Sequence, residues 1–168
     1  MIEIGIVGAR NSGKTTLIEA LLPRFIENGF RVATLKHTEH NHTFDCEGKD
    51  SYRHRRAGAG LTVALSQTEI ALFAEPNEKL LKNICGLMEK HFDICLVEGN
   101  NRSNRSKVLL TRNLESLKAP MPDNIVVSYG PKLFSSELMH FPLEKFEEFT
   151  AFLTEHFSLS KTNEAQNV

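Results

Sequence analysis

The sequence lacks the features of a protein that spans a membrane, is secreted or is stabilised by disulfides. No apolar run reaches the length of about 18 residues that predicts a transmembrane helix. The chain starts with MIEI, without a basic segment ahead of an apolar stretch, so no signal peptide is expected. The three cysteines lie far apart and form no C-x-x-C pair, which favours reduced thiols over disulfides or a cysteine-based zinc site. We therefore expect a cytoplasmic protein.

The sequence also lacks an excess of charge of either sign. Its 20 Lys and Arg residues are balanced by 21 Asp and Glu residues, which gives a formal net charge of −1. A general nucleic-acid binder is normally basic, so neither nucleic acid nor a membrane is expected as a partner. The length of 168 residues and the 40% share of hydrophobic residues favour one globular domain. We predict that this domain covers residues 1–157 and that the polar segment 158–168 is a disordered tail.

Strands and helices alternate along most of the chain. Residues 2–7 form an apolar run that predicts a buried strand, residues 14–28 carry apolar side chains at helical spacing, and residues 31–35 predict a second strand. Such a strand–helix–strand unit pairs its strands in parallel with a right-handed crossover. The pattern continues with strands at 61–65, 70–74, 93–97, 107–111 and 125–128 and helices at 49–57, 77–91 and 143–157. It predicts an α/β fold with three layers and a mainly parallel central sheet.

One motif between the first strand and the first helix predicts the chemistry. Residues 8–15, GARNSGKT, match the phosphate-loop pattern G-x-x-x-x-G-K-[ST] at every fixed position. Glycines let backbone N–H groups surround phosphate oxygens at the positive N-terminus of a helix. Lys14 is expected to reach the β- and γ-phosphates, and the Thr15 hydroxyl to ligate Mg²⁺. The sequence therefore predicts a P-loop NTPase fold with these nucleotide-binding residues: Gly8, Arg10, Asn11, Ser12, Gly13, Lys14, Thr15 and Thr16.

A phosphate-loop protein also needs a carboxylate at the end of another strand to complete its Mg²⁺ site. Glu98 follows the strand predicted at 93–97, and ligand sites in parallel sheets lie beyond the carboxyl ends of the strands. Asp45, in the loop after the second strand, is another candidate. The predicted metal ligands are therefore Thr15, Asp45 and Glu98. Asp93 begins its strand, so we expect it at the opposite edge of the sheet in a structural role.

The loop after the second strand and the segment beyond it contain several metal-capable side chains: His37, His40, His42, Cys46 and His54. Their spacing matches no H-x-x-x-H or C-x-x-C pattern, which argues against zinc. A second interpretation is that Lys36 and His37 leave the strand towards the phosphates, and a third is plain solvent exposure. Three arginines follow in the chain and favour contact with an anionic ligand or partner, or form a solvated face: Arg53, Arg55 and Arg56.

Together these segments resemble the MobB family, whose members are GTP-binding adaptors of molybdopterin guanine dinucleotide biosynthesis. The resemblance covers roughly residues 2–112, in the family's order and approximate spacing. The phosphate loop is common to many NTPases, whereas the later series K-H-T, G-K-D-S and A-G-A is more specific. The matching segments are 8–15, 36–38 with His40 and Asp45, 48–51, 57–59 and 96–99. Where the family commonly has an aromatic residue and a lysine after Glu-Gly, this chain has Asn100 and Asn101, with Arg102 as a candidate substitute for the lysine.

The resemblance implies a protein that binds GTP and Mg²⁺, hydrolyses GTP weakly and forms a homodimer. It also implies a partner, the guanylyltransferase that attaches GMP to molybdopterin. Lys14 and Thr15 then match phosphate and Mg²⁺ positions, and Asp45 and Glu98 match acidic positions near the metal. Guanine preference rests on the resemblance alone, since the chain has no Asn-Lys-x-Asp motif. Asn113 and the loop 128–131 are the candidates to face the base.

Two other functions are compatible with a phosphate loop. One is a small-molecule kinase or ligase, which needs a general base beside the γ-phosphate and an acceptor pocket that so short a chain does not evidently provide. The other is a metal-insertion GTPase that uses the histidine-rich loop, although the ligand spacing for it is missing. No residue stands out as one that positions the attacking water, so no catalytic residue is assigned and a slow adaptor is favoured.

Overall fold

The computed structural model describes residues 1–38, 41–100, 103–117 and 121–159. The chain divides into two compact units, the first formed by residues 1–37 and 88–168 and the second by residues 38–87. Each unit contains its own sheet. The single domain expected over residues 1–157 stays a prediction.

Strands and helices follow one another much as the sequence predicts. The strands predicted at 2–7, 61–65 and 70–74 coincide with observed strands, and the other predicted boundaries agree within one residue except at the start of the last helix. No helix in the described residues is long and apolar enough to cross a membrane. The elements are β1 (Ile2–Val7), α1 (Lys14–Glu27), β2 (Val32–Lys36), α2 (Asp50–Arg56), β3 (Leu61–Leu65), β4 (Ile70–Ala74), α3 (Glu78–His91), β5 (Ile94–Glu98), β6 (Lys107–Leu110), β7 (Ile125–Tyr129), β8 (His140–Phe141) and α4 (Phe146–His156).

The first unit is built on a sheet of six parallel strands in the order β2-β5-β1-β6-β7-β8. Glu98, the last residue of β5, is in register with Ile6 of β1 on one side and with Lys36 of β2 on the other. Because the strands are parallel, the ends of these three strands lie at the same edge of the sheet. The predicted α/β fold with a mainly parallel sheet is confirmed, and its carboxyl edge carries the phosphate loop.

The residues of β5 show how the sheet is covered on both faces. Ile94 and Leu96 belong to the large core shared with α1 and α4, whereas Cys95 and Val97 pack on the opposite face with Met88 of α3. Burying one large apolar side chain completely contributes about 1.5–3 kcal/mol. Helix α1 buries Leu17, Ile18, Leu21 and Phe25. This packing fixes α1 against the sheet, and with it the position of the helix N-terminus.

The second unit contains α2 and an antiparallel hairpin of β3 and β4. Ser66 closes the hairpin turn, because its Oγ accepts hydrogen bonds from the backbone N–H groups of Thr68 and Glu69 at 3.2 and 3.0 Å. Large apolar side chains on both strands are exposed: Leu61, Val63, Leu65, Ile70 and Leu72. Exposed apolar clusters of this kind mark interaction surfaces.

The end of the chain differs most from the prediction. After Pro142 the chain forms a 3-10 turn, Leu143–Lys145, and the regular helix α4 begins only at Phe146. The apolar spacing of Leu143 and Phe146 suits one continuous helix, so sequence reasoning merges the two elements. Strand β8 has two residues and is too short to show a period. Leu159 is buried in the core beyond the predicted boundary at 157, and residues 160–168 lie outside the described residues.

Candidate functional site

The phosphate loop connects the carboxyl end of β1 to the first turn of α1. Its backbone takes left-handed conformations at Asn11, with φ +57°, and at Gly13, with φ +96°, directly before the helix. The N–H of Ser12 closes the turn by donating to Ala9 O at 3.3 Å. The loop therefore lies around the N-terminus of α1, whose free N–H groups attract an anion.

Lys14 lies against this loop and is held by the loop's own backbone. Its Nζ donates to Gly8 O at 3.1 Å and to Ala9 O at 2.7 Å. Burial lowers the pKa of Lys14, the nearby carboxylate of Glu98 opposes this effect, and the charge of Lys36 adds to it. Both hydrogen-bond acceptors are neutral, so an anionic phosphate would make the stronger, charge-assisted bond with this ammonium group.

Thr15, Glu98 and Lys36 meet beside the loop. Thr15 Oγ1 lies 3.2 Å from both Oε1 and Oε2 of Glu98 and donates a hydrogen bond to that carboxylate. Lys36 Nζ forms an ion pair with Glu98 Oε1 at 3.6 Å. The Glu98 side chain is 15% exposed and that of Lys36 is 58% exposed, so the carboxylate belongs to the interior of the site and the lysine to its rim.

The backbone around Glu98 fixes the position of its carboxylate. The N–H of Gly99 donates to Ile6 O at 3.0 Å, and the N–H of His37 donates to Glu98 O at 2.9 Å. Gly99 has φ +84°, and a Cβ built on it would lie 2.6 Å from His37 O. Only glycine permits this approach of the two strand ends. Gly99 therefore allows the backbone conformation that positions Glu98.

The oxygen atoms beside the loop suit a hard divalent cation. Mg²⁺ takes carboxylate, hydroxyl and phosphate oxygens and usually keeps several waters. Thr15 Oγ1 and the Glu98 carboxylate are close enough to serve one ion. Across the described residues, no group of three or more His, Cys, Asp and Glu side chains is arranged to hold a metal. A cation at Thr15 and Glu98 would therefore depend on a bound phosphate for part of its ligands.

Asp45 lies in the second unit, in a buried polar cluster of its own. Ser51 Oγ donates to Asp45 Oδ1 at 2.9 Å, and Arg55 Nη1 lies 3.5 Å from Asp45 Oδ2. The Asp45 side chain is 3% exposed. These contacts tie the loop before α2 to the helix itself. The metal role of Asp45 stays a prediction.

The other residues singled out from the sequence are placed as follows. The side chains of Arg10 and His37 are exposed. His42 makes an edge-on contact with Phe44, with ring centroids 4.9 Å apart. His40, Asn101 and Arg102 lie outside the described residues.

A pocket of about 170 Å³ adjoins the phosphate loop in the first unit. Of the two segments expected to face a base, the loop 128–131 contributes Tyr129, Gly130 and Pro131 to its walls. Asn113 instead lies at the phosphate loop, where its Nδ2 is 3.5 Å from Asn11 O. The remaining lining residues are Arg112 and a set of apolar residues that sequence reasoning did not place at a site: Leu17, Ala20, Leu110, Leu143 and Phe146. The apolar residues come from α1, β6 and the segment that starts at Leu143, and no single motif in the sequence links these three segments.

A comparison with known families finds one whose model covers most of the chain. Residues 3–128 match the family model of MobB, described as Molybdopterin guanine dinucleotide synthesis protein B. The chain belongs to the MobB family. The matched segment includes the phosphate loop, Lys36 and Glu98, so the family resemblance drawn from these segments is confirmed.

Two MobB relatives are named molybdopterin-guanine dinucleotide biosynthesis adapter protein. The protein of Haemophilus influenzae is 35% identical over 122 residues, which cover 71% of this chain and 67% of that protein. The protein of Escherichia coli K12 is 39% identical over 106 residues, which cover 61% of each chain. The matched region thus spans less than two thirds of the E. coli relative and about two thirds of the other.

Solved MobB structures have the same fold. The crystal structure of Bacillus subtilis MobB matches with a TM-score of 0.75 at 26% identity, over 94% of this chain and 98% of that chain. A MobB homologue from Bacillus stearothermophilus matches with a TM-score of 0.70 at 23% identity, over 95% of this chain and 100% of that chain. Together with the parallel sheet and its phosphate loop, these likenesses confirm the predicted P-loop NTPase type of α/β fold.

Proposed function

We propose that this MobB-family protein binds GTP together with Mg²⁺ and acts as an adaptor in molybdopterin guanine dinucleotide biosynthesis. The observation that carries the proposal is the arrangement of Lys14, Thr15 and Glu98 around the phosphate loop. The family match supports the pathway, and the names of the two bacterial relatives support the adaptor role. Three free cysteines support a reducing, cytoplasmic setting.

Each residue of the site has a distinct role towards a bound triphosphate. Lys14 exchanges the carbonyls of Gly8 and Ala9 for phosphate oxygens. Thr15 and Glu98 would hold the Mg²⁺, which would supply positive charge to stabilise the phosphates. Lys36, at the rim of the site, adds positive charge close to Glu98.

The arrangement supports slow hydrolysis by the isolated chain. Fast hydrolysis needs a group that orients the attacking water, besides positive charge on the transferring phosphoryl group. Glu98 is already engaged by Thr15 and Lys36, so it serves the cation rather than a water. The guanylyltransferase is the proposed partner, and it would complete the catalytic set. We expect turnover by the isolated chain far below the enzyme median of about 10 per second.

The binding proposal is tested by titrating GTP, with and without Mg²⁺, into the parent protein, Glu98→Gln and Thr15→Ala. The parent should bind GTP more tightly with Mg²⁺, Glu98→Gln should lose this dependence, and Thr15→Ala should show less of it. Glu155→Gln, an equal change of charge at the exposed end of α4, is the matched control and should behave as the parent. The proposal would be contradicted if the parent protein bound GTP with the same affinity in the presence and absence of Mg²⁺.

The adaptor role is tested by steady-state GTP turnover with and without the cognate guanylyltransferase and molybdopterin. Slow turnover alone and faster product formation in the complete mixture are the expected results. Rapid phosphorylation of a small acceptor by the isolated protein would favour a kinase instead.

The second unit supports a homodimer formed through the β3–β4 hairpin. A two-stranded hairpin by itself is at best marginally stable in water. Leu65 and Ile70 are cross-strand partners, and they are 76% and 71% exposed. A second copy offers the same apolar surface, so that pairing two hairpins would bury both.

Light scattering on a sizing column tests this interface. The parent should run as a dimer and Leu65→Glu as a monomer, because a carboxylate would be buried at the interface. Leu133→Glu is the matched control, since Leu133 is 61% exposed in the first unit. A dimer that survives Leu65→Glu would place the interface elsewhere.

A further inference from the structure

The pocket beside the phosphate loop has the size and lining for a flat aromatic ring system. Its volume is about 170 Å³, and an apolar cavity of about 150 Å³ is enough to bind benzene. Tyr129, Phe146 and Leu17 contribute aromatic and aliphatic wall. Pockets for small ligands are mostly apolar, with a few polar groups that fix the orientation of the ligand.

The aromatic wall is held rigidly by the core. The ring of Tyr129 stacks on Phe149 with centroids 4.5 Å apart. Its hydroxyl donates to Leu143 O at 3.1 Å, so this polar group is already used within the protein. Tyr129 can therefore act as a preformed surface against which a ring packs.

A close approach of two loops brings Arg112 to the same pocket. Gly130 has φ +138°, and a Cβ built on it would lie 2.6 Å from Thr111 Oγ1. The N–H of Thr111 donates to Tyr129 O at 3.0 Å, and the N–H of Lys132 donates to Thr111 Oγ1 at 3.2 Å. These contacts fix the backbone directly before Arg112, which lines the pocket.

The pocket is continuous with the phosphate loop, because Ser12, Gly13 and Thr16 line it. Ser12 is 2% exposed, and its Oγ has no hydrogen-bond partner in the described part of the chain. This hydroxyl lies against Gly8, since a Cβ built on Gly8 would be 2.7 Å from Ser12 Oγ. A nucleotide has the required shape, with phosphates for the loop and a flat base for the pocket.

The charge of the lining distinguishes one purine from another. Arg112, which is exposed, is the one residue with a charged side chain among the described residues that line the pocket, and a guanidinium group only donates hydrogen bonds. Guanine presents two acceptors, O6 and N7, on one edge, whereas adenine has an amino donor in place of O6. Arg112 therefore matches the O6/N7 edge of guanine and opposes the corresponding edge of adenine.

We propose that this pocket holds the purine base and that Arg112 selects guanine by donating to O6 and N7. The inference rests on the proposed function, because it assumes a triphosphate on the phosphate loop. The described lining includes no carboxylate, so no acidic side chain reads the N1–H and the amino group of guanine. GTP and ITP should therefore bind alike, whereas ATP and 7-deaza-GTP should bind more weakly.

Calorimetric titration with Mg²⁺ present tests this assignment on the full chain. The ligands are GTP, ITP, ATP, 7-deaza-GTP and inorganic tripolyphosphate, and the proteins are the parent, Arg112→Met and Lys132→Met. Lys132→Met is the matched control, since it removes one nearby charge, which pairs with Glu115 at 3.3 Å outside the pocket lining. The parent should prefer GTP to ATP by about tenfold or more, as one bidentate contact provides.

The expected result for Arg112→Met is loss of the GTP preference with unchanged affinity for tripolyphosphate. Equal weakening of GTP and tripolyphosphate would assign Arg112 to the phosphates and overturn the inference, as would an unchanged GTP preference. The parent's own ligand series decides the matter if the variant does not fold, because weak ITP binding would contradict readout at O6 and N7. A parent that binds neither GTP nor tripolyphosphate would instead refute the proposed function, and the inference with it.

Discussion

Two lysines at opposite edges of the parallel sheet make the same kind of contact with different consequences. Lys14, at the carboxyl edge, donates to the two backbone carbonyls of Gly8 and Ala9. Lys107 begins β6 at the amino edge, where its Nζ donates to the carbonyls of Ser103, Arg105 and Asp123. Burial lowers the pKa of both lysines.

The difference between the two lysines lies in their surroundings. Lys107 is 0% exposed and joins two loops through neutral acceptors. Lys14 lies at the N-terminus of α1, beside a hydroxyl and a carboxylate that suit a cation. We therefore propose that a lysine held by carbonyls has a structural role at the amino edge and binds phosphate at the carboxyl edge. The role of the lysine depends on the edge of the sheet at which it lies, because the N-termini of helices meet the carboxyl ends of strands at one edge only.

The largest effect on stability is expected from Lys107→Met. The change leaves three carbonyls at the amino edge without their donor, which should cost about 3 kcal/mol or more. Urea unfolding followed by circular dichroism measures the loss. The folded variant should bind Mg·GTP as the parent does. Unaltered stability, or a loss of GTP affinity in the folded variant, would contradict the assignment of a purely structural role to Lys107.

A smaller effect is the extra destabilisation by Gly99→Ala at the carboxyl edge over that of an equivalent glycine substitution without a clash. Gly48→Ala is the matched control, since Gly48 has φ +85° with no atom within 4 Å of a built Cβ, whereas Gly99 has φ +84° and meets His37 O. Both variants carry the left-handed penalty of about 1–2 kcal/mol. Gly99→Ala should cost about 1–3 kcal/mol more because of the clash.

Thermal and urea unfolding of the two glycine variants provide the comparison. Gly99→Ala should also weaken the Mg²⁺ dependence of GTP binding, since Glu98 would be displaced. Equal destabilisation by both variants would show that the strand ends can separate without cost.

A still smaller effect is expected from Arg105→Met. This variant compares a partly exposed ion pair with the buried Lys107 at the same edge of the sheet. Arg105 pairs with Glu3, and their side chains are 24% and 29% exposed. Partly solvated ion pairs contribute little, so the loss should stay below about 1 kcal/mol in urea unfolding. A loss as large as that of Lys107→Met would show that the whole amino edge, rather than the buried lysine, carries the stability.

The smallest expected effect is a pH dependence linked to Lys107. Burial lowers the folded-state pKa of this lysine below its usual value of 10.5. The unfolded chain therefore keeps this proton to a higher pH than the folded chain does. As a result, the free energy of unfolding increases as the pH rises from the lowered pKa to 10.5. The stability of the parent relative to Lys107→Met should increase over that range. A relative stability that falls there would contradict the buried-lysine assignment.

The parts of the site that could be predicted from the sequence are those formed by residues that are adjacent in the chain. The phosphate loop is specified by eight adjacent positions between a strand and a helix. Glu98 follows from its place at the end of an apolar strand. The structural role expected for Asp93 is confirmed, since its carboxylate accepts hydrogen bonds from the backbone N–H and the guanidinium of Arg31.

The parts that could not be predicted depend on partners far apart in the chain. The pocket needs Leu17, Tyr129 and Phe146 together, and only the packing of α1 and α4 on one face brings them close. The contacts of Lys107 include a carbonyl sixteen positions away. Neither arrangement produces a period or motif in the sequence, because each residue meets its partners only through the tertiary fold.

A paired measurement of binding and stability distinguishes a phosphate ligand at Lys14 from a purely structural lysine. Mg·GTP affinity and unfolding free energy are measured side by side for the parent, Lys14→Ala and Lys107→Met. Lys14→Ala should lose GTP affinity by about tenfold to a hundredfold, as expected for a lost charge-assisted bond, with little change in stability. Unchanged GTP affinity in Lys14→Ala, or a loss of stability as large as that of Lys107→Met, would contradict the account.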